Sequence, residues 1–266
     1  MAIVVNSNIA SLNAQRNLTK SQSALNTSLE RLSSGLRINS AKDDAAGLFT
    51  AEKLTADIRG AQQGARNAAD GISFAQVAEG ALSEIANNLQ RIREIAVQSA
   101  SGTIEDRTGL SAEVTQLEAS NTAIIANTKF NGTAVLSGAA LNIQAGADTA
   151  DLVTVSTTAV TSTTLGTADV STSTGAATAM GNADTAIDAV SKARATFGAV
   201  QNRFESVISN LQSLSENTSA ARSRIVDADF AAETANLTRA QILQQAGVSI
   251  LSQANTLPQA ALGLLQ

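Results

Sequence analysis

The sequence predicts a mainly α protein: a long antiparallel helical coiled-coil or bundle rod with a small β-hairpin region, its N- and C-terminal chain ends paired. Three observations predict it. Hydrophobic residues make up 44% of the chain while aromatics make up 2%, with no Trp and no Tyr. The apolar content is therefore mostly Ala, Leu, Ile and Val, and Ala and Leu favour helices that pack closely. Apolar residues recur in steps of three and four over tens of positions, the helical period. Finally, amphipathic stripes stand near both ends of the chain, so that two sticky faces need partners.

Taken in order, Leu25, Leu29, Leu32 and Leu36 form the first stripe. A much longer one follows: Ala51, Leu54, Ile58, Ala61, Ala65, Ala68, Ile72, Ala75, Ala78, Leu82, Ile85, Leu89, Ile92 and Ala96. A continuous helix over roughly residues 44 to 100 would be on the order of 80 Å long, a rod that must pack against other rods by knobs-into-holes contacts. After Ser101, Gly102 and Gly109, the residues Leu110, Val114, Leu117 and Ile124 give a shorter helix that stops near Lys129 and the turn FNG. Between residues 137 and 180 the texture shifts to Ala, Gly, Ser and Thr. There LNIQAGAD and DLVTVST read as a β-hairpin, and the low-complexity remainder reads as an exposed loop. Ala183, Ile187, Val190, Phe197, Val200, Phe204, Val207, Leu211, Leu214, Ala221 and Ile225 restore the helical period. The last stripe is Leu243, Ala246, Ile250, Ala254, Leu257, Ala261 and Leu265, with Leu251, Leu262 and Leu264 beside it and Pro258 placed to kink or interrupt the final helix.

Composition also excludes. With no Cys and no His, disulfides, thiolate nucleophiles, most zinc and iron sites and His-based acid/base chemistry fall away. A net charge of −5 and a pI near 4.8 argue against nucleic acid as a partner. The start MAIVVNSNIA lacks a signal peptide's basic opening and apolar run, and no stretch approaches 18 consecutive apolar residues, so no membrane insertion is expected. Any export would use a route that reads no cleaved signal. Neither GxxxxGK[ST] nor GxGxxG occurs, so no nucleotide cofactor is expected.

Asp43 and Asp44 could be a catalytic or metal pair, but Ser40 with Asp43 resembles a capping box opening the long helix. Asp227 and Asp229 precede the last stripe and read as N-capping. In LQRIREIAVQSA, Arg91 and Glu94 fall between stripe residues and read as a solvated helix face.

Longer segments go further. SQSALNTSLERLSSGLRINSAKDDAAG, ARNAADGISFAQVAEGALSEIANNLQRIREIAVQSA, KFNGTAVLSG, FGAVQNRFESVISNL, ARSRIVDADFAAETANLTRAQILQQAGVSILSQAN and LPQAALGLLQ resemble bacterial flagellin, and together they take in most of residues 1–136 and 181–266. The resemblance implies a flagellar filament subunit for swimming motility and no enzyme. It implies an inner terminal coiled-coil domain from residues 1–43 with 226–266, and a rod-like domain over 44–225 that includes the hairpin and a short loop at about 137–180. Outer domains that many members insert there should be missing.

The resemblance further implies type III export as an unfolded chain, an extracellular filament, and contact with hook-associated junction and cap proteins and a flagellar export chaperone. Homopolymer contacts are expected from the terminal stripes: Leu25, Leu29, Leu32, Leu36, Leu243, Ile250, Leu251, Leu257, Leu262 and Leu265. A host Toll-like receptor for flagellin is expected to contact Gln90, Arg91, Glu94, Ile95 and Gln98, with Glu113 as partner acid. The alternative is a hook-filament junction or cap-type protein of the same apparatus.

Overall fold

The computed structural model describes residues 7–155, 160 and 167–263, without the side chains of 257–263. Among the described residues there are five helices and two antiparallel strand pairs. The helices are α1 (Ile9–Ser34), α2 (Ala45–Ala100), α3 (Thr108–Asn127), α4 (Ser173–Val226) and α5 (Phe230–Gly263). β1 (Lys129–Phe130) pairs with β2 (Thr133–Ala134), and β3 (Leu141–Gln144) with β4 (Leu152–Val155). The chain divides into two compact units, residues 1–55 with 217–266 and residues 56–216. Both boundaries fall inside helices, α2 and α4, whereas the sequence reading put them at 43/44 and 225/226.

In the unit of residues 56–216, the heptad stripe of α2 is the core. Ala68, Ala75, Ala78, Leu82, Ile85, Leu89, Ile92 and Ala96 are buried together with Val114 of α3 and with Val190, Phe197 and Phe204 of α4. The turn after β1 uses Asn131 at φ 46° and Gly132 at φ 83°. Two consecutive residues at positive φ make the tight hairpin that Asn-Gly favours. Phe130 at its base meets Phe74 edge-on, the ring centroids 6.0 Å apart.

The β3–β4 hairpin lies on α2 where that helix is narrow. At Gly64 a Cβ would stand 2.8 Å from the Ala145 carbonyl carbon, and at Gly60 it would stand inside the side chain of Ala147. Only glycine lets backbone approach backbone this closely.

The expected exposed loop before residue 181 is partly wrong. Helix α4 already begins at Ser173, and Val160, Val170, Ala176 and Ala179 are buried. The Ser99 hydroxyl donates to the Val170 carbonyl, and the Ala168 amide donates to Glu118 Oε1. Small side chains that look like linker in sequence are here what fits between helices. Leu214, placed in the third stripe, is 49% exposed.

In the unit of residues 1–55 with 217–266, α1 and α5 lie side by side and antiparallel. Asn8 Nδ2 reaches the Ala254 carbonyl, Gln244 Nε2 reaches Gln22 Oε1, and Ser28 Oγ reaches Glu233 Oε1. Helix α1 ends at Gly35, whose φ of 72° closes it in the left-handed conformation, its N–H donating to the Arg31 carbonyl. Leu36 then bridges to Asp227, with Arg37 N donating to the Val226 carbonyl and Ala228 N to the Gly35 carbonyl.

The capping expectations shift by a residue. Asp44, not Asp43, caps α2, accepting from Gly47 N at 2.9 Å; Asp43 Oδ2 instead takes the amides of Asn39 and Ser40 and the Ser40 hydroxyl, closing the preceding turn. Asp229 caps α5, accepting from Ala231 N and Ala232 N, while Asp227 accepts from the Ser223 hydroxyl. Helix α5 runs on through Pro258 to Gly263 rather than breaking there.

Candidate assembly and recognition surfaces

The seam between α1 and α5 follows a heptad on each helix. On α1 the covered positions are Ser11, Ala14, Leu18, Ser21, Leu25, Ser28 and Leu32; on α5 they are Glu233, Leu237, Ala240, Gln244, Gly247, Leu251 and Ala254. Steps alternate between three and four throughout, as antiparallel coiled-coil packing demands. Yet few of these residues are large and apolar. Small residues let the helices approach, and Leu18 Cδ1 would lie 3.3 Å from a Cβ at Gly247.

The large apolar residues that sequence periodicity singled out stand elsewhere. Of the α1 stripe, Leu25 is buried in the seam, Leu32 and Leu36 are half-buried, and Leu29 is 47% exposed. Leu36 lies beyond the helix, in the strand-like bridge. Of the α5 stripe, Leu251 is half-buried in the seam, while Leu243 and Ile250, one heptad apart on the same flank, are 52% and 56% exposed. The side chains of Leu257 and Leu262, and Leu265 altogether, lie outside the described residues. Ile9, Leu12, Phe49, Phe230, Ile242 and Val248, which the sequence reading passed over, are also exposed. A helix pair that leaves this many large apolar side chains in water carries an association surface. Their heptad spacing was the available signal: Leu243 and Ile250 share a row beside the seam rather than in it.

The carboxylates once weighed as metal or catalytic pairs are engaged with backbone amides and hydroxyls at caps and turns, as above. Hydrogen bonds from the Ser40 amide, the Ser40 hydroxyl and the Asn39 amide hold the Asp43 carboxyl below its ordinary value of 3.8. Among the described residues, no group of three or more His, Cys, Asp or Glu could hold a metal ion, and no helix is long and apolar enough to cross a membrane.

The second surface lies within the other unit, on α2 and α3. Arg91 Nε donates to Glu113 Oε1 at 2.8 Å and Arg91 Nη1 to Glu94 Oε2 at 3.2 Å. These bonds, that from Glu113 first, raise the guanidinium above its usual value. Gln90, Arg91, Glu94 and Gln98 are exposed and Glu113 is half-buried, so five of the six expected recognition residues form one face. Ile95 does not: it is fully buried in the helical core and offers nothing to a partner. It follows the heptad stripe, being three residues beyond Ile92.

Residues 5–140 match the bacterial flagellin N-terminal helical region, and residues 180–265 match the bacterial flagellin C-terminal helical region. A flagellin of Halalkalibacterium halodurans is 43% identical, the match covering 99% of this chain and all of the relative. A flagellin of Xenorhabdus nematophila is also 43% identical, with both chains covered completely. The flagellar filament 33 kDa core protein of Treponema phagedenis is 39% identical over 99% of this chain and all of its own length. Among solved structures, Bacillus cereus flagellin superposes with a TM-score of 0.51 and 32% identity, over 59% of this chain and 94% of that one.

Proposed function

The chain belongs to the bacterial flagellin family, and from that premise we propose that it polymerises into the flagellar filament through the exposed apolar residues flanking the α1/α5 seam. The observation that carries this reading is the exposure of Leu243 and Ile250 on a helix whose neighbouring face is already covered. Burying the exposed half of a Leu or Ile contributes about 1 to 1.5 kcal/mol. Ile9, Leu12, Leu29, Leu243, Val248 and Ile250 together would then supply roughly 6 to 9 kcal/mol, against an association cost on the order of 4 to 15 kcal/mol. One neighbour therefore does not suffice. A lattice of repeated heterologous contacts does, and such contacts that do not close build a helical polymer.

The test is seeded elongation followed by electron microscopy. Leu243→Ser with Ile250→Ser should stop elongation while far-ultraviolet circular dichroism retains the helical signal of residues 56–216. Normal filaments from that double variant would overturn the reading. Limited addition to a seed by the unsubstituted chain, ending after a few subunits, would favour the junction or cap-type alternative.

Within this reading residues 1–43 with 226–266 form the inner domain and 44–225 the rod. Export through the type III apparatus, a chaperone holding the C-terminal segment, and junction and cap proteins as neighbours belong to the same proposal. A second reading concerns recognition. The ion-paired face of Arg91, Glu94 and Glu113 supports contact with a host flagellin-sensing Toll-like receptor, and a receptor reporter assay tests it.

A further inference from the structure

The α1/α5 seam has a weakness that its composition makes plain. Heptad-related positions repeat similar residues: Leu18, Leu25 and Leu32 on α1, with Ala240, Gly247 and Ala254 on α5. Sliding one helix past the other by seven residues places Leu beside Ala or Gly again, so apolar packing barely distinguishes the two alignments. Slippage is the known hazard of a flat, repetitive coiled coil, and a single buried polar position is the known remedy.

One polar cluster breaks the repeat. Glu233 is 8% exposed and is the only charged residue among the heptad positions just described. Its Oε1 accepts from Ser28 Oγ at 2.5 Å, Ser28 itself being 5% exposed, and its Oε2 lies 3.8 Å from Arg31 Nη1. A slip of one heptad toward the N-terminus of α1 would set Glu233 against Ser21, with Ala24 in place of Arg31. The hydroxyl would be kept and the cation lost. A slip the other way would set it against Gly35, beyond the last helical residue, Ser34. Either slip leaves a covered carboxylate with no positive partner, which is strongly disfavoured.

We propose that Glu233, received by Ser28 and Arg31, fixes the axial register of the α1/α5 pair and hence which apolar side chains are offered to neighbouring copies. The second half of this statement rests on the filament reading; the first does not.

The absence of Cys from the chain makes register directly readable by engineered disulfides. Gln22→Cys with Gln244→Cys reports the observed alignment, since those side chains touch. Gln15→Cys with Gln244→Cys reports the slipped one, its Cα atoms being too far apart to bridge otherwise. Cross-linking is measured in both soluble chain and seeded polymer. With Glu233 present, the first pair should form in excess of the second by about ten-fold or more. In Glu233→Leu and in Arg31→Ala the two yields should converge, and in the exchanged variant Arg31→Glu with Glu233→Arg the preference should return.

An unchanged preference in Glu233→Leu and Arg31→Ala would overturn the proposal, as would failure of the exchange to restore it. Loss of both cross-links in both variants would also overturn it, because the cluster would then be required for pairing rather than for alignment. A chain that shows the native cross-link but does not elongate from a seed would defeat the filament reading and leave the register assignment standing.

Discussion

Gly64 meets Ala145 backbone against backbone: a Cβ at Gly64 would lie 2.8 Å from the Ala145 carbonyl carbon and 2.8 Å from Gly146 N. Neither atom is the end of a flexible side chain, so neither can turn aside. Gly64→Ala should therefore destabilise by about 1 to 3 kcal/mol through overpacking, more than offsetting the roughly 1 kcal/mol that Ala contributes in a helix. Gly80 of the same helix has nothing within 4 Å, and Gly80→Ala should stabilise by about 0.5 to 1 kcal/mol. Thermal unfolding of the two variants should move in opposite directions.

The cap of α5 is a separate test of the terminal unit. Asp229→Ala removes the acceptor for Ala231 N and Ala232 N and should cost about 0.5 to 2 kcal/mol. Asp229→Asn should lose less, since its amide oxygen accepts the same bonds. Amide exchange at Ala231 and Ala232 is the readout.

Acid should open the turn before α2. The folded-state value of Asp43 is depressed, chiefly by the amide and hydroxyl of Ser40. Its ionised form therefore contributes stability that is full above the ordinary value of 3.8 and is lost as pH falls through the lower folded value. Protection of the Asn39 and Ser40 amides should fall in that window, below pH 3.8. In Asp43→Asn the step should be absent.

Arg91 separates recognition from stability. Its ion pairs with Glu94 and Glu113 are largely in solvent, and exposed pairs contribute about 0 to 1 kcal/mol. Arg91→Ala should leave the unfolding temperature almost unchanged while sharply lowering the receptor reporter signal. An equally small effect on both would remove the recognition reading.

How much of this was legible depends on what each helix packs against. The α2 stripe was legible because its partners lie in one unit and the stripe is a continuous row from Ala68 to Ala96. The α1/α5 seam was not. Periodicity finds the row of largest apolar residues, Leu243 and Ile250, whereas close approach selects Ala240, Gly247 and Ala254. The start of α4 was missed for a related reason: Ser, Thr and Gly around Ser173 read as linker until packing places Ala176 and Ala179 in the interior. Ile95 was assigned by motif to a partner although its position in the heptad made it core.

The bridge between Leu36 and Asp227 sets an order of events. Arg37 Nη2 reaches the Ile225 carbonyl across 188 residues of chain, and every bond of the α1/α5 pair spans a comparable or longer loop. Closing such a loop carries its entropic cost before any contact repays it. Helices α2 and α3, joined by a few residues, gain their contacts early. The terminal pair closes last, after the final residues have been synthesised, so an incomplete chain holds its two ends apart and cannot present a finished assembly face.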